Sequence, residues 1–279
     1  MREINAITVT DAVRSMCIEA NCILPDDVRR CIASAYETEN WPPAKATIKR
    51  LIENYEIAGR ENVPICQDTG VTCVFVEIGQ EVHVKGDLSE AINEGVRQGS
   101  SEGYLRASLV TDPLIRVNTG DNTPAMIYFE VVPGDKFTIT VAPKGFGSEN
   151  MSRITMLRPS DGLEGVKAFV LRTVEEAGAN PCPPIIVGVG LGGTFDKAAL
   201  LAKKALMRPT DDINPDPNYV AHEEELLEAI NVLGIGPQGF GGRTTALAVK
   251  INAMATHIAG LPVAVNINCH AARHVSKAL

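Results

Sequence analysis

The stretch PPIIVGVGLGGTFDKAALLAKKAL, residues 183–206, constrains the fold more than any other. An apolar run from Ile185 to Val189 passes into glycines at 188, 190 and 193, and an amphipathic helical pattern follows. The spacing is G-x-G-x-x-G between a strand and a helix, which read literally is a dinucleotide-binding turn. That fold needs a second strand after the helix, ending in an acidic residue about 20 positions on. Asp211-Asp212 arrives near that distance, but in RPTDDINPDPN, whose three prolines make a poor strand. A nicotinamide dehydrogenase is therefore the literal reading and not the favoured one. Two others fit better. The glycines permit close packing and positive φ at a tight strand-to-helix turn, or the turn offers helix N-terminal N–H groups to an anion. Cys182 stands just upstream in NPCPP.

Bulk properties narrow the class. The chain has 279 residues, 45% hydrophobic and 22% charged, as a soluble globular protein has. Aromatics are only 5%, so small aliphatic side chains must fill the core. A net charge of −8 argues against non-specific nucleic-acid binding. It leaves room for an anionic small substrate, which needs only a few local cations. No run reaches the roughly 18 apolar residues of a membrane span. The start, MREINAITVTDAVRSMC, carries no apolar signal region, so a cytoplasmic location and no membrane partner are expected.

The first sixty residues read as three helices. The first has Val9, Val13, Met16, Cys17 and Ala20 on one face and starts near Thr10 or Asp11. The second starts near Pro25-Asp26-Asp27, and the third runs from about Pro43 to Gly59. VTCVFVEIG then reads as a strand and LSEAINEGVRQGSSEGYLR as a helix weakened by glycine. AMIYFEVVPGDKFTITVAP suggests a hairpin turning at Pro133-Gly134-Asp135. Helices are expected over about 162–178, 194–207 and 217–233, strands over 184–190 and in LPVAVNINCH, and a helix–strand mix before His257. The expected fold class is α+β (mixed α/β): a helical N-terminal region packed on mixed and antiparallel sheets with surrounding helices. One domain over residues 1–279 is expected, with residues 1–62 as a possible helical subdomain.

Seven cysteines, an odd number without any C-x-x-C, do not suggest a disulfide framework. Cys17 and Cys31 lie on apolar helix faces and Cys73 in a β-rich run, as core residues do. Cys66 in VPICQDTG, Cys182 in NPCPPII and Cys269 in NINCHAARH differ: each falls in a loop or strand end near Pro, Asn, Asp or His. Three thiolates can hold an iron–sulfur cluster, and three ligands on a four-iron cubane leave one iron open, as catalytic metal sites leave a position.

ICQDTG, VNTGDNTPA, KGFGSENMS, NPCPPIIVGVGLGGTFDKAALLAKKAL and HIAGLPVAVNINCHAARH together resemble the iron–sulfur hydro-lyase family of class I fumarases and L-tartrate dehydratases, from about residue 10 onward. The match is to the α subunit, or N-terminal domain. The resemblance implies a [4Fe-4S] cluster on Cys66, Cys182 and Cys269, with its open iron acting as a Lewis acid on the hydroxyl of malate. It places Gln67 and Asp68 at the substrate, with Asp68 as acid/base; the plainer alternative is that Asp68 caps the QDTG turn. It gives Arg106 a substrate carboxylate, which a guanidinium grips with two bonds; a surface ion pair is the alternative, and Arg116 is a weaker candidate for the role. A backbone N–H of Gly147 is placed on the substrate, where Phe146 replaces the middle of the family's three glycines. His257 is a further substrate contact, against the alternative of a satisfied core histidine. His270 and His274 receive no role.

The family's catalytic threonine and further basic residues lie in a C-terminal domain, whereas this chain ends ten residues after Cys269. The resemblance therefore implies a separate β subunit, an α2β2 assembly, and reversible hydration of fumarate to (S)-malate. L(+)-tartrate dehydration is the nearest alternative. An NAD-dependent dehydrogenase and a non-catalytic subunit are more distant ones.

Overall fold

In chain order the backbone forms β1 (Arg2–Asn5), α1 (Ala6–Cys22), α2 (Asp26–Thr38), α3 (Pro42–Glu61), β2 (Val71–Gly79), β3 (Val82–Lys85), α4 (Leu88–Glu102), β4 (Met126–Val132) and β5 (Phe137–Lys144). There follow α5 (Phe146–Glu149), β6 (Arg153–Leu157), α6 (Gly162–Ala177), β7 (Ile185–Gly193), α7 (Phe195–Ala205), α8 (Pro217–Val232), β8 (Ala246–Thr256), β9 (Leu261–Asn268) and β10 (Val275–Ala278). This computed structural model describes all 279 residues. It is the α+β class expected, and no helix is long and apolar enough to cross a membrane. Two compact units result: Met1–Pro25, Asn54–Phe146 and Arg273–Leu279 form the first, and Asp26–Glu53 with Gly147–Ala272 the second.

In the first unit, α1 begins four residues before Thr10, because the Asn5 side chain accepts the Ile7 N–H at 3.1 Å and caps it there. Its apolar face, Val9, Val13 and Met16, packs with Ile92 and Val96 of α4 over Val74, Val76, Ile139 and Val141 of the sheet. The sheet order is β10-β5-β2-β4. Here the expected hairpin fails. β2 lies between β4 and β5, parallel to β4 and antiparallel to β5. The end of β2 enters the mouth of the Pro133–Asp135 turn: Gly79 N–H donates to Lys136 O at 2.7 Å and Glu81 N–H to Gly134 O at 3.0 Å. Only glycine fits at 79, where a Cβ would stand 2.2 Å from Gly134 O. Two adjacent strand patterns with a good turn signal could not reveal a third strand wedged between them.

In the second unit the sheet order is β6-β9-β7-β8, with β7 and β8 parallel and β9 antiparallel to β7. Alternation along β7 separates two faces. Ile185, Val187, Val189 and Leu191 join the core made with Val166, Val170 and Val174 of α6 and Leu226 and Ile230 of α8. Gly188 and Gly190 point the other way, to α7. A Cβ at 188 would lie 2.2 Å from Ala202 O, and one at 190 would lie 2.0 Å from Ala198 O. These two glycines are packing surfaces; the positive φ values fall at Gly192 and Gly193, +84° and +67°, where a register shift ends the strand just before α7. After α7 comes a loop and then α8, and the next strand parallel to β7 begins only at Ala246. Asp211 and Asp212 pair with Arg30 and with Arg208 and Lys250. The second strand and free acidic residue of a dinucleotide fold are thus replaced by helix and ion pairs.

Candidate active site

The loop before β2 carries the first group of predicted residues. Ile65 is buried and its N–H donates to Asn21 O at 2.9 Å, which anchors the loop to the end of α1. Past it, Cys66 is partly exposed and Gln67 exposed. The Asp68 N–H points at Cys66 Sγ, 3.4 Å away. Both Asp68 carboxylate oxygens are held by backbone donors: Oδ1 by Gly70 N–H at 3.0 Å and Oδ2 by Phe146 N–H at 2.9 Å. The first bond is the turn-capping role weighed above; the second ties the loop to the KGFG segment. A Cβ at Gly145 would sit 3.2 Å from Oδ2, so the glycine leaves the carboxylate open on that side. Phe146–Glu149 forms the short helix α5, with Gly147 exposed in its first turn.

Arg106 belongs to the same unit. Its carbonyl accepts the Thr69 hydroxyl at 3.3 Å and Asn122 Nδ2 at 2.9 Å, so its backbone is fixed to the Asp68 loop. Its side chain is exposed, and no carboxylate of the unit engages it, unlike the surface ion pair considered as the alternative. Arg116, also exposed, is at φ +63° and bonds the Pro113 carbonyl of its own turn.

Cys182 and Cys269 lie in the second unit, at one end of its sheet. Cys182 precedes β7 and Cys269 follows β9, and the antiparallel register pairs Ile186 with Asn268. Cys182 is exposed at φ +55°, between buried Pro181 and Pro183. Neighbouring groups clamp this turn. His270 Nδ1 lies 3.0 Å from Cys182 O, and the His270 backbone N–H reaches the same oxygen at 3.4 Å. The same Nδ1 lies 3.2 Å from Gln238 Nε2, which ties the two clamping side chains together. Gln238 donates both its backbone N–H and its Nε2 to Pro183 O, each at 2.7 Å. Sequence reasoning had no use for Gln238 or His270; the only signal was their position, one beside the cysteine and one among glycines.

His257 is elsewhere. It follows β8, whose last residue Thr256 pairs with Gly193 at the far end of β7. Nine residues of strand, about 30 Å at the usual rise, separate that end from Cys182. His257 is exposed and its Nδ1 accepts Ala259 N–H at 3.2 Å, so it is not a core histidine.

The remaining cysteines divide by burial. Cys17, Cys22 and Cys73 are buried, and burial pushes the Cys17 thiol up to about 12 despite a hydrogen bond with Thr72. Cys66, Cys182 and Cys269 are all at least partly accessible, as is Cys31, which bonds Thr210. Within neither unit do three or more His, Cys, Asp or Glu side chains gather as a single-ion site. One buried cation near the Cys66 loop was not anticipated. Arg273 is only 3% exposed; its Nη2 donates to Asp68 O, while Nε and Nη1 have no hydrogen-bond partner.

Comparison with known proteins adds the family. Residues 10–278 match the fumarate hydratase (Fumerase) family model. A relative named putative L(+)-tartrate dehydratase subunit alpha, from Methanocaldococcus jannaschii, is 45% identical over 96% of each chain. The L(+)-tartrate dehydratase subunit alpha of Escherichia coli K12 is 32% identical, over 95% of this chain and 88% of that one.

Proposed function

Because the chain belongs to the family of class I fumarate hydratases and L(+)-tartrate dehydratase α subunits, we propose that it is the α subunit of a two-subunit fumarate hydratase, interconverting fumarate and (S)-malate. The observation that carries this reading is the Asp68 carboxylate. Two backbone N–H groups fix it beside Cys66, and the loop that holds it also holds the backbone of Arg106. A carboxylate immobilised next to a thiol ligand can take or return a proton without first reorganising.

The donor set fits the cluster. Cys66, Cys182 and Cys269, three of the four cysteines that are at least partly accessible, are those the family resemblance names; an N–H is directed at Cys66, and a buried guanidinium with unused donors adjoins the same loop. Cys66, Cys182 and Cys269 would hold a [4Fe-4S] cluster, which when bound supplies Lewis-acid assistance to hydroxyl departure. The protein's own groups do the rest. Arg106 grips one substrate carboxylate with its fork. Gln67 and the Gly147 N–H orient the dicarboxylate. Asp68 exchanges the hydroxyl proton at a carboxylate oxygen, which the Gly70 and Phe146 N–H groups keep aimed. His257 lies at the opposite sheet end from Cys182, so a substrate role for it requires a site on another chain of the assembly.

The α-subunit names of the relatives support a separate β partner, and the α2β2 arrangement is our reading from the family resemblance. The same names favour a second reading, dehydration of L(+)-tartrate to oxaloacetate. The test is anaerobic. The α chain is reconstituted with iron and sulfide, then assayed with and without β on both substrates. Activity should appear only with β and with higher kcat/KM for malate. Full activity from α alone overturns the division of labour, and a higher kcat/KM for tartrate selects the second reading.

A further inference from the structure

Arg273 is the group in this chain whose surroundings are least explained by the fold. It is buried, and of its three nitrogens only Nη2 is engaged, by the neutral carbonyl of Asp68. Nε and Nη1 are buried without a partner. A guanidinium cannot shed its proton to escape this situation. Burying a charge without a counter-charge costs several kcal/mol, and each unsatisfied donor adds to that. A chain keeps such a group where a bound anion completes it. The nearest carboxylate of the loop, Asp68, does not do so, since both its oxygens are turned to Gly70 and Phe146. The charge is felt at Cys22, whose thiol burial pushes up while Arg273 pulls it down. Lys144, also 3% exposed, adds a second buried cation on the segment that closes over Gly70.

We propose that Arg273 is a positioning residue for the cluster: its two unused, buried N–H donors would serve the anionic sulfur of a cluster held at Cys66. This rests on the cluster reading above. A cubane bearing thiolates is net anionic, and N–H donors to its sulfurs raise its reduction potential and slow its loss. The same guanidinium is a liability to the metal-free chain, because nothing then offsets its charge.

The test compares wild type, Arg273→Gln and Arg273→Lys. Three quantities are read: thermal midpoint of the metal-free α chain, rate of iron loss from the anaerobic αβ holoenzyme to a ferrous chelator, and cluster midpoint potential. Arg273→Gln should leave the metal-free chain as stable as wild type or more so. Its holoenzyme should lose iron about 10-fold faster, in line with the effect of removing an outer-shell partner, and its potential should fall. Arg273→Lys, which keeps the charge, should lie between the two. A metal-free Arg273→Gln chain that is less stable or fails to fold overturns the proposal and makes Arg273 a strut for the Asp68 carbonyl. Unchanged iron loss and potential with a raised KM also overturn it and make the partner a substrate carboxylate. Wild-type protein that takes up no iron fails at the earlier step, and with it the cluster reading itself.

Discussion

At the scale of single residues, the site is a set of backbone donors arranged around a few side chains. Asp68 shows this best: its roles as turn cap and as acid/base candidate are not rivals, because the cap is what aims the carboxylate. Asp68→Asn keeps the shape but loses the charge and replaces one acceptor with a donor. The αβ enzyme carrying it should lose about 10²–10⁴-fold in kcat with iron content unchanged; parallel loss of iron would make Asp68 structural. Asp121 offers a pH test. Burial pushes its carboxyl up, but the Thr123 N–H and hydroxyl and the Arg97 guanidinium outweigh this and hold it at about 2, against 3.8 ordinarily. A lowered folded-state value contributes stability that is complete above about pH 4 and is lost as pH falls toward 2. Urea midpoints of wild type and Asp121→Asn should therefore converge over that interval. That Cys66, Cys182 and Cys269 are not fully buried was legible from their neighbours, because a cysteine between prolines or beside Asn and His is not on an apolar stripe; Cys31, expected as a core residue, is only partly buried. Arg273 was not legible, because an arginine between Ala272 and His274 looks like surface until the fold buries it.

At the scale of elements, most helices and strands were readable because small aliphatics keep clean periods. The exceptions are instructive. Residues 246–256 looked ambiguous between helix and strand because Ala and Val on both faces erase alternation, and they form β8. The 126–144 region contains both expected strands, but pairing is a long-range fact. The glycine motif was read correctly as strand then helix, while its purpose had to come from the packing of α7. Gly190→Ala would drive a methyl against Ala198 O and Ala202 N, at 2.0 and 2.5 Å. Overpacking on this scale should cost about 1–3 kcal/mol or more, seen as a lower urea midpoint of the metal-free chain. A midpoint equal to wild type would show that α7 is free to shift.

At the scale of the whole molecule, each of the two units rests on its own sheet and core, and the second contains a buried ionic network. Glu223 Oε1 accepts from Arg208, Asn214 and the Ile251 N–H at 2.6–2.7 Å. Lys250 and Arg208 both reach Asp212. Glu223→Ala leaves Arg208 paired with Asp212 but removes the acceptor shared by Asn214 and the Ile251 N–H, and should destabilise by about 1–3 kcal/mol, measured by denaturant unfolding. NADH should give no thermal shift with the full chain, since the glycines that mimic its fingerprint are filled by α7. A concentration-dependent shift would reopen the dehydrogenase reading.

The clamp on Cys182 has a consequence for how the proposed cluster would be loaded. His270 and Gln238 hold the peptide on either side of that residue by bonds that involve no thiol. These bonds need no iron, so on the cluster reading the loop is expected to take its shape without the metal. Zinc fingers work in the opposite order, with the ion itself organising the chain. Here stripping the metal with a chelator should leave far-UV circular dichroism unchanged, and reloading should proceed at the pace of cluster delivery, not of refolding. On the cluster reading, the apo chain is a standing receptacle, exposed to oxidation of its thiols and not to collapse of the fold.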